Sequence, residues 1–178
     1  MKLFITYVDF CKAYNKISRY ALIKMLAKLG CGYTMACAIA ALYADTKLAL
    51  GAAVILISLG VRQGSPSSCF LFTLFTDKLV RDFKEQCPDD GFLGWSHALL
   101  LMDDTVILST TREGCEQKIK VLKDFCDQYG MEINEKKTKF MVINGDESDR
   151  KEINLSGLVV TNCIKQAGAK LCQAQSLV

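Results

Sequence analysis

Two adjacent aspartates, Asp103 and Asp104, interrupt the apolar stretch ALLLMDDTVIL at residues 98–108. The flanks have the aliphatic and β-branched content of a buried or half-buried hairpin, and the acidic pair falls where its turn is expected. Two neighbouring carboxylates repel each other, so this placement is unfavourable unless a cation lies close by. Mg²⁺ prefers carboxylate oxygens and keeps part of its coordination shell for water and phosphate. The stretch therefore predicts a metal-binding hairpin or, as the simpler alternative, an aspartate-rich turn.

A third aspartate, Asp9, ends the apolar run Leu3–Val8 in a similar way. If the two strands are neighbours in a sheet, three carboxylates meet at one edge of it. Two metal ions about 4 Å apart need such a cluster to hold the attacking and leaving oxygens of a phosphoryl transfer. Each aspartate could separately be a turn or cap residue, and an unrelated two-metal phosphoesterase would also account for the carboxylates.

The composition is that of a globular chain about one domain in size. Of its 178 residues, 51% are apolar and 23% are charged, and the formal net charge is only +3. The charge is distributed unevenly, since residues 10–44 contain five basic residues and no acidic one. Such a block suits a polyanionic partner. A solvated helix face is an equally common explanation.

Nine cysteines, an odd number without any Cys-x-x-Cys pair, indicate neither a disulfide framework nor a zinc site. The first apolar run is too short for the core of a signal peptide. The uncharged stretches at 29–44 and 48–61 are shorter than a membrane span. We therefore expect an intracellular protein, nuclear or cytoplasmic, with no membrane partner.

Hydrophobic periodicity predicts strands interleaved irregularly with helices. Thr110 and Glu113 are predicted to form a capping box at the start of one helix. The predicted elements are a strand at 3–8, helices at 18–30 and 34–44, a strand pair within 48–59, a helix at 66–87, the acidic hairpin, a helix ending at Gly130 and a last strand at 140–143.

This pattern favours an α+β fold, an antiparallel sheet with helices packed on one face. We expect one core domain at residues 1–145. The tail at 146–178 is weakly patterned and is expected to be weakly ordered.

Four segments, in this order, resemble the palm motifs of reverse transcriptases from non-LTR (LINE-type) retrotransposons. They are YVDFCKAYNKI at 7–17, GVRQGSP at 60–66, LMDDT at 101–105 and GMEINEKKTK at 130–139. Each is weak alone, but the shared order and spacing make the set specific. The resemblance implies the palm subdomain of a right-hand polymerase, with a ferredoxin-like core. The implied activity is that of an RNA-directed DNA polymerase, which transfers a nucleotide from a dNTP to a primer 3′-hydroxyl.

The resemblance assigns catalytic roles to Asp9, Asp103, Asp104 and Lys137. The three carboxylates and the backbone carbonyl of Phe10 would hold two Mg²⁺ ions, with Mn²⁺ able to substitute. Lys137 would donate a proton to the leaving pyrophosphate. Its alternative interpretation is a solvated lysine.

Three further residues would shape the nucleotide pocket. Tyr14 would pack against the sugar and exclude a 2′-hydroxyl, although a core aromatic explains it as well. Gln63 would act through its amide, and Gly64 would let the backbone approach the nucleotide closely. Without the resemblance, the segment at 63–66 is simply a loop leading into a helix.

The RNA template and the DNA primer are the implied partners, together with dNTPs. Lys12, Lys16, Arg19 and Arg62 would contact nucleic-acid phosphates, an interaction that weakens with salt. We expect the fingers and thumb to be absent and encoded nearby, and residues 146–178 to be an eroded palm-to-thumb segment. Polymerase activity of the chain alone should then be weak or nil. The alternative is an inactive retroelement remnant that binds nucleic acid.

Overall fold

The computed structural model describes residues 1–51, 53–62, 64–87, 93–94, 96–101, 104–155 and 157–162. In this part of the chain no helix is both long enough and apolar enough to cross a membrane. The helices are α1 (Ala13–Lys16), α2 (Arg19–Lys28), α3 (Tyr33–Tyr43), α4 (Pro66–Gln86), α5 (Arg112–Tyr129) and a 3-10 turn at Ser148–Arg150. The strands are β1 (Leu3–Val8), β2 (Lys47–Leu50), β3 (Ala53–Leu56), β4 (Ala98–Leu101), β5 (Asp104–Ser109), β6 (Lys139–Ile143), β7 (Ile153–Leu155) and β8 (Leu158–Asn162).

A six-stranded sheet with the order β4-β5-β1-β6-β8-β7 forms the centre of the fold. Its central strand β1 pairs antiparallel with both β5 and β6, and only the β6–β8 pair is parallel. Strands β2 and β3 form a separate hairpin. The predicted α+β fold, a largely antiparallel sheet with helices packed on it, is confirmed.

Side chains alternate along β1, so that its two faces differ. Phe4, Thr6 and Val8 are buried, whereas Tyr7 on the opposite face is 45% exposed. The buried face meets α4 and α5 in a continuous core that includes Phe72, Phe75, Leu79, Leu122 and Phe125. The opposite side, called here the open face, is the one from which residues at odd positions of β1 project.

The start of α5 differs from the predicted capping box. Thr111, not Thr110, is the N-cap, and its hydroxyl accepts a hydrogen bond from the Gly114 N–H at 3.0 Å. A Cβ at position 114 would lie 2.6 Å from Ser109 Oγ and 2.9 Å from Thr111 Oγ1. The missing side chain at Gly114 therefore lets the first turn close onto Thr111, which moves the cap by one residue.

Two strands, β7 and β8, follow the strand that the sequence predicted to be the last. Ile153, Leu158 and Val160 from this segment are buried with Phe4 and Phe140 in a second hydrophobic cluster. Weak periodicity concealed the two strands because they are only three and five residues long. The domain division at residue 145 and the weak order expected for the tail stay predictions.

Replacing Val160 by alanine tests whether this segment contributes to the core. The Val160 side chain is fully buried, so we expect a loss of about 2 kcal/mol in the free energy of unfolding. Val159→Ala on the other side of the same strand should cost less than about 1 kcal/mol, since that side chain is only half-buried. Urea unfolding followed by circular dichroism measures both. Equal losses would contradict the assignment of Val160 to the core.

Candidate active site

Positions 9 and 104 lie at the same end of the β1–β5 ladder. The antiparallel ladder ends at the pair Val8–Thr105, and Asp9 and Asp104 are the next residues of the two segments. Because Thr105 lies on the buried face, Asp104, the residue before it in β5, projects from the open face, and Asp9 follows directly where β1 ends. Asp104 is exposed, and the Asp9 side chain is 37% exposed. Two of the three predicted carboxylates therefore belong to residues at the same end of neighbouring strands.

The acidic hairpin forms as predicted, with Leu101 paired to Asp104 at its end. Asp103 belongs to the link between these two residues and lies outside the described residues. Within the described part of the chain, no group of three or more His, Cys, Asp or Glu side chains could hold a metal ion. That result leaves Asp103, the third predicted ligand, untested.

The backbone around Asp9 is fixed by the segment between α5 and β6. The Asn134 N–H donates to the Asp9 carbonyl at 2.8 Å, and the Asp9 N–H donates to Thr138 Oγ1 at 3.2 Å. Thr138 is buried. Sequence reasoning did not select Asn134 or Thr138, although both lie in the fourth motif. A polar residue with a short side chain in a motif segment without strand periodicity is the signal that could have found Thr138. Asn134 acts through its backbone N–H, which leaves no signal in the residue type.

The carbonyl of Phe10, a predicted metal ligand, points away from this segment. Phe10 forms an isolated antiparallel bridge with Ile133, and the flanking bonds run from Asn134 to Asp9 and from Cys11 to Glu132. In this arrangement the bridged residues do not bond each other, so the Phe10 carbonyl turns toward the opposite, β5 side of its strand. It therefore faces the side on which Asp104 lies.

Lys137 is the only described cation with its nitrogen within 4 Å of an Asp9 carboxylate oxygen, the Nζ–Oδ2 distance being 3.8 Å. Its side chain is 70% exposed, so this contact contributes little to stability. The geometry nevertheless keeps an ammonium group next to the predicted ligand cluster. Both interpretations of Lys137, proton donor and solvated lysine, agree with this position.

Tyr14 lies beside the second motif and packs on α4. Its ring stacks on Phe72, with centroids 4.8 Å apart and planes at 24°. Its carbonyl accepts a hydrogen bond from the Val61 N–H at 2.8 Å. The ring is half-buried, so it has the packing of a core aromatic and keeps part of its surface accessible to solvent. A role as a gate for the sugar stays a prediction.

The two glycines of the second motif serve different purposes. Gly60 has φ +80°, and a Cβ there would lie 2.8 Å from the Asn15 Cα and carbonyl oxygen. Gly64 has φ +82° with open space around it. The close backbone approach within the chain thus occurs at Gly60, which sequence reasoning missed. Gln63 lies outside the described residues.

A model of the family described as reverse transcriptase (RNA-dependent DNA polymerase) matches residues 2–169. The chain belongs to the reverse transcriptase family. It is 28% identical over 155 residues to the retrovirus-related Pol polyprotein from type-1 retrotransposable element R2 of Nasonia vitripennis, and 28% identical over 159 residues to that of Bradysia coprophila. The matches cover 82% and 86% of this chain but 15% and 18% of the polyproteins. The chain thus spans less than a fifth of these relatives.

Solved telomerase structures have a similar fold. Apo telomerase from Candida tropicalis superposes with a TM-score of 0.62 at 15% identity, over 89% of this chain and 31% of that one. Telomerase from Candida albicans, solved with a fragment of telomeric RNA, gives 0.58 at 18% identity, over 91% and 29%. The resemblance to a non-LTR retrotransposon reverse transcriptase, and the predicted palm-like fold, are confirmed.

Reverse transcriptases use divalent metal ions, and the donor groups found here suit them. Asp9 and Asp104 offer hard carboxylate oxygens on a solvent-accessible edge, and the Phe10 carbonyl offers another oxygen. Mg²⁺ is held by few protein carboxylates and keeps several waters, which requires such an open edge. The described residues therefore fit the family's metal.

The four basic residues predicted to bind nucleic acid divide into two groups. Lys12 and Arg62 are exposed, and Lys16 forms an ion pair with Glu132. Arg19 is directed inward: its Nε donates to the Gly60 carbonyl at 2.8 Å, and its Nη1 donates to the carbonyls of Tyr43 and Ile57 at 2.8 and 2.6 Å.

Desolvation by burial lowers the pKa of the Arg19 guanidinium from its usual value, and nearby Arg62 lowers it further while Tyr43 opposes the shift. Arg19 thus connects α2 to the second motif, which is a structural role that its sequence position did not predict. Contact of its remaining donors with nucleic acid stays a prediction.

Proposed function

We propose that this chain carries the nucleotidyl-transfer site of an RNA-directed DNA polymerase, in which Asp9, Asp103 and Asp104 hold two Mg²⁺ ions. The observation that carries the proposal is the β1–β5 ladder, whose last pair, Val8–Thr105, is flanked at the same end by Asp9 and Asp104. Asp103 adjoins Asp104 in the sequence. Three carboxylates brought together at this edge would repel one another, and bound divalent cations would relieve that repulsion.

The bound ions would lower the pKa of the primer 3′-hydroxyl and stabilise charge on the triphosphate. The residues around them supply positioning. The hydrogen bonds with Asn134 and Thr138 hold the Asp9 backbone in place, which fixes the position from which its side chain and the neighbouring Phe10 carbonyl extend. Preorganised ligands of this kind need no rearrangement during the reaction.

Lys137 is proposed to transfer a proton from its Nζ to the leaving pyrophosphate. Its ammonium group lies 3.8 Å from the Asp9 carboxylate. Because the side chain is long and mostly exposed, it can reach beyond Asp9 to a phosphate bound at the same edge.

The nucleotide pocket is proposed to be formed by Tyr14, Gln63 and Gly64. Stacking on Phe72 would hold the Tyr14 ring rigidly beside the sugar, so that a 2′-hydroxyl would collide with it. The open space at Gly64 would admit the phosphates. Lys12, Lys16 and Arg62 would contact the phosphates of the RNA template and DNA primer.

A primer-extension assay under single-turnover conditions tests the proposal, with an RNA template, a labelled DNA primer and excess protein. A chain of 178 residues offers limited surface for holding template and primer, and positioning supplies much of the rate of phosphoryl transfer. We therefore expect slow addition of dNTPs that requires Mg²⁺ and is absent with Asp103→Asn. RNA binding without any Mg²⁺-dependent addition would instead favour an inactive remnant, and addition that survives Asp103→Asn would overturn the proposed site.

A further inference from the structure

A cavity of about 320 Å³ lies between α2, α4 and α5, away from the candidate active site. Its walls include Lys24 and Lys28 from α2, Lys78 from α4, and Gln128 and Tyr129 from the end of α5. We call it the lysine cavity. None of the described residues that line it is acidic. Three ammonium groups around one concave site, with no carboxylate in its walls, make it electrostatically suited to an anion.

Two of the three lysines form no ion pair within the described part of the chain. Lys24 and Lys28 are one helical turn apart on α2, and in the described part of the chain neither has a carboxylate oxygen within 4 Å of its Nζ. Lys78 forms an ion pair with Asp82 on its own helix. Like charges four residues apart on a helix are mildly unfavourable, so an anion bound between Lys24 and Lys28 would relieve a repulsion that the folded chain leaves in place.

An exposed aromatic ring stands at the same cavity. Tyr20 also lines it and is 77% exposed, and Lys24 Nζ lies 6.0 Å from the centre of its ring. Tyr129, by contrast, packs against Phe75 and Phe125 in the core. A solvent-facing tyrosine next to two unpaired lysines combines a stacking surface for a base with cations for phosphates, which is how single-stranded nucleic acid is held without sequence preference.

The cavity and the candidate active site lie on opposite sides of the sheet. Asp104 projects from the open face at the end of the ladder next to Asp9, whereas α4 and α5 cover the buried face through Phe72, Phe75 and Phe125. A nucleic-acid strand bound at the active-site edge would therefore not reach the lysine cavity through the same protein contacts. The basic block at residues 10–44 is thereby divided, with Lys16 paired to Glu132 of the fourth motif and Lys24 and Lys28 on the helical side.

We propose that the lysine cavity is a second nucleic-acid site, which binds the phosphates of a single-stranded RNA segment through Lys24, Lys28 and Lys78 and stacks one of its bases on Tyr20. This goes beyond the proposed function, because the site binds RNA without metal ions and without taking part in nucleotide addition. It would hold RNA on the helical side of the protein while the open face handles template and primer.

Fluorescence anisotropy with a short labelled oligouridylate tests the proposal in metal-free buffer across a salt series. For Lys24→Gln with Lys28→Gln, we expect affinity to fall about tenfold at low salt and the slope of log K against log salt to become shallower by about 1.4, that is about 0.7 for each lysine. The matched control is Lys120→Gln with Lys151→Gln, which removes the same charge from two exposed positions outside the cavity. Equal changes in the two double variants would overturn the proposal.

Two further measurements distinguish RNA binding at this site from nonspecific electrostatic attraction and from the binding of free phosphate. Tyr20→Ala should weaken RNA binding while leaving the salt slope unchanged, because stacking releases no counterions. In the wild-type chain, RNA should protect Lys24 and Lys28 from acylation but not Lys120 and Lys151, as read by mass spectrometry. Competition by inorganic phosphate as effective as that by the oligonucleotide would identify a simple phosphate site and overturn the assignment to RNA. Since neither metal nor dNTP is present, these outcomes do not depend on the active-site proposal.

Discussion

An Asp9→Asn chain is expected to bind Mn²⁺ at least about 100-fold more weakly than the wild-type chain. The substitution keeps the size of the side chain but removes the negative charge that a hard cation requires. It also removes a carboxylate at the end of the β1–β5 ladder to which Asp104 belongs. Mn²⁺ is a suitable probe because its binding can be followed by electron paramagnetic resonance or by calorimetry.

Asp124→Asn is the matched control for this loss. Asp124 is an exposed carboxylate on α5, and its replacement changes the net charge by the same amount as Asp9→Asn. Its Mn²⁺ affinity should equal that of the wild type. Circular dichroism checks that both variants fold. Unchanged Mn²⁺ affinity in a folded Asp9→Asn chain would exclude Asp9 as a ligand, and with it the two-metal site.

A Gly60→Ala chain is expected to lose about 2–5 kcal/mol in the free energy of unfolding. Two costs combine at this position. The positive φ of +80° disfavours any residue with a Cβ, and that Cβ would lie 2.8–2.9 Å from backbone atoms of Asn15 and Tyr14. Because backbone cannot move aside as a flexible side chain does, the second motif would have to shift away from the first. Urea unfolding measures the loss.

The Gly64→Ala variant separates the cost of a positive φ from the cost of a steric clash between the added Cβ and the backbone. Gly64 has nearly the same positive φ, +82°, but nothing lies within 4 Å of an added Cβ. Only the conformational cost of about 1–2 kcal/mol should then appear. A Gly64→Ala loss as large as that of Gly60→Ala would show that contact between Gly60 and Asn15 does not matter. A large loss at Gly60 alone would establish that the two motifs are held at a fixed distance.

Periodicity was a sound guide for the long elements. The helices predicted at 18–30 and 66–87 correspond to α2 and α4, and the strand at 3–8 is β1. Each contains enough apolar residues in one repeat to specify which face is buried. The acidic hairpin was predictable for the same reason, because aliphatic flanks on both sides of a polar pair leave few other arrangements.

Short elements and inward-directed cations could not be found in this way. Strands β7 and β8 present too few residues for a repeat to stand out. Arg19 was predicted to meet nucleic acid as part of a basic run, yet its guanidinium donates to three carbonyls from residues 43, 57 and 60. Those acceptors are distant in sequence, so composition alone could not distinguish Arg19 from its lysine neighbours.

The amino-acid sequence by itself determined the family, the helices and strands with long apolar repeats, and the residue types available for metal binding, since these depend on local order along the chain. Only the tertiary structure decided that Asp9 and Asp104 lie at the same end of neighbouring strands, that Asn134 and Thr138 hold the Asp9 backbone, and that Lys24, Lys28 and Lys78 line one cavity. These relations join residues far apart in sequence. They arise because burying one face of the sheet under α4 and α5 selects a single strand register and a single helix arrangement.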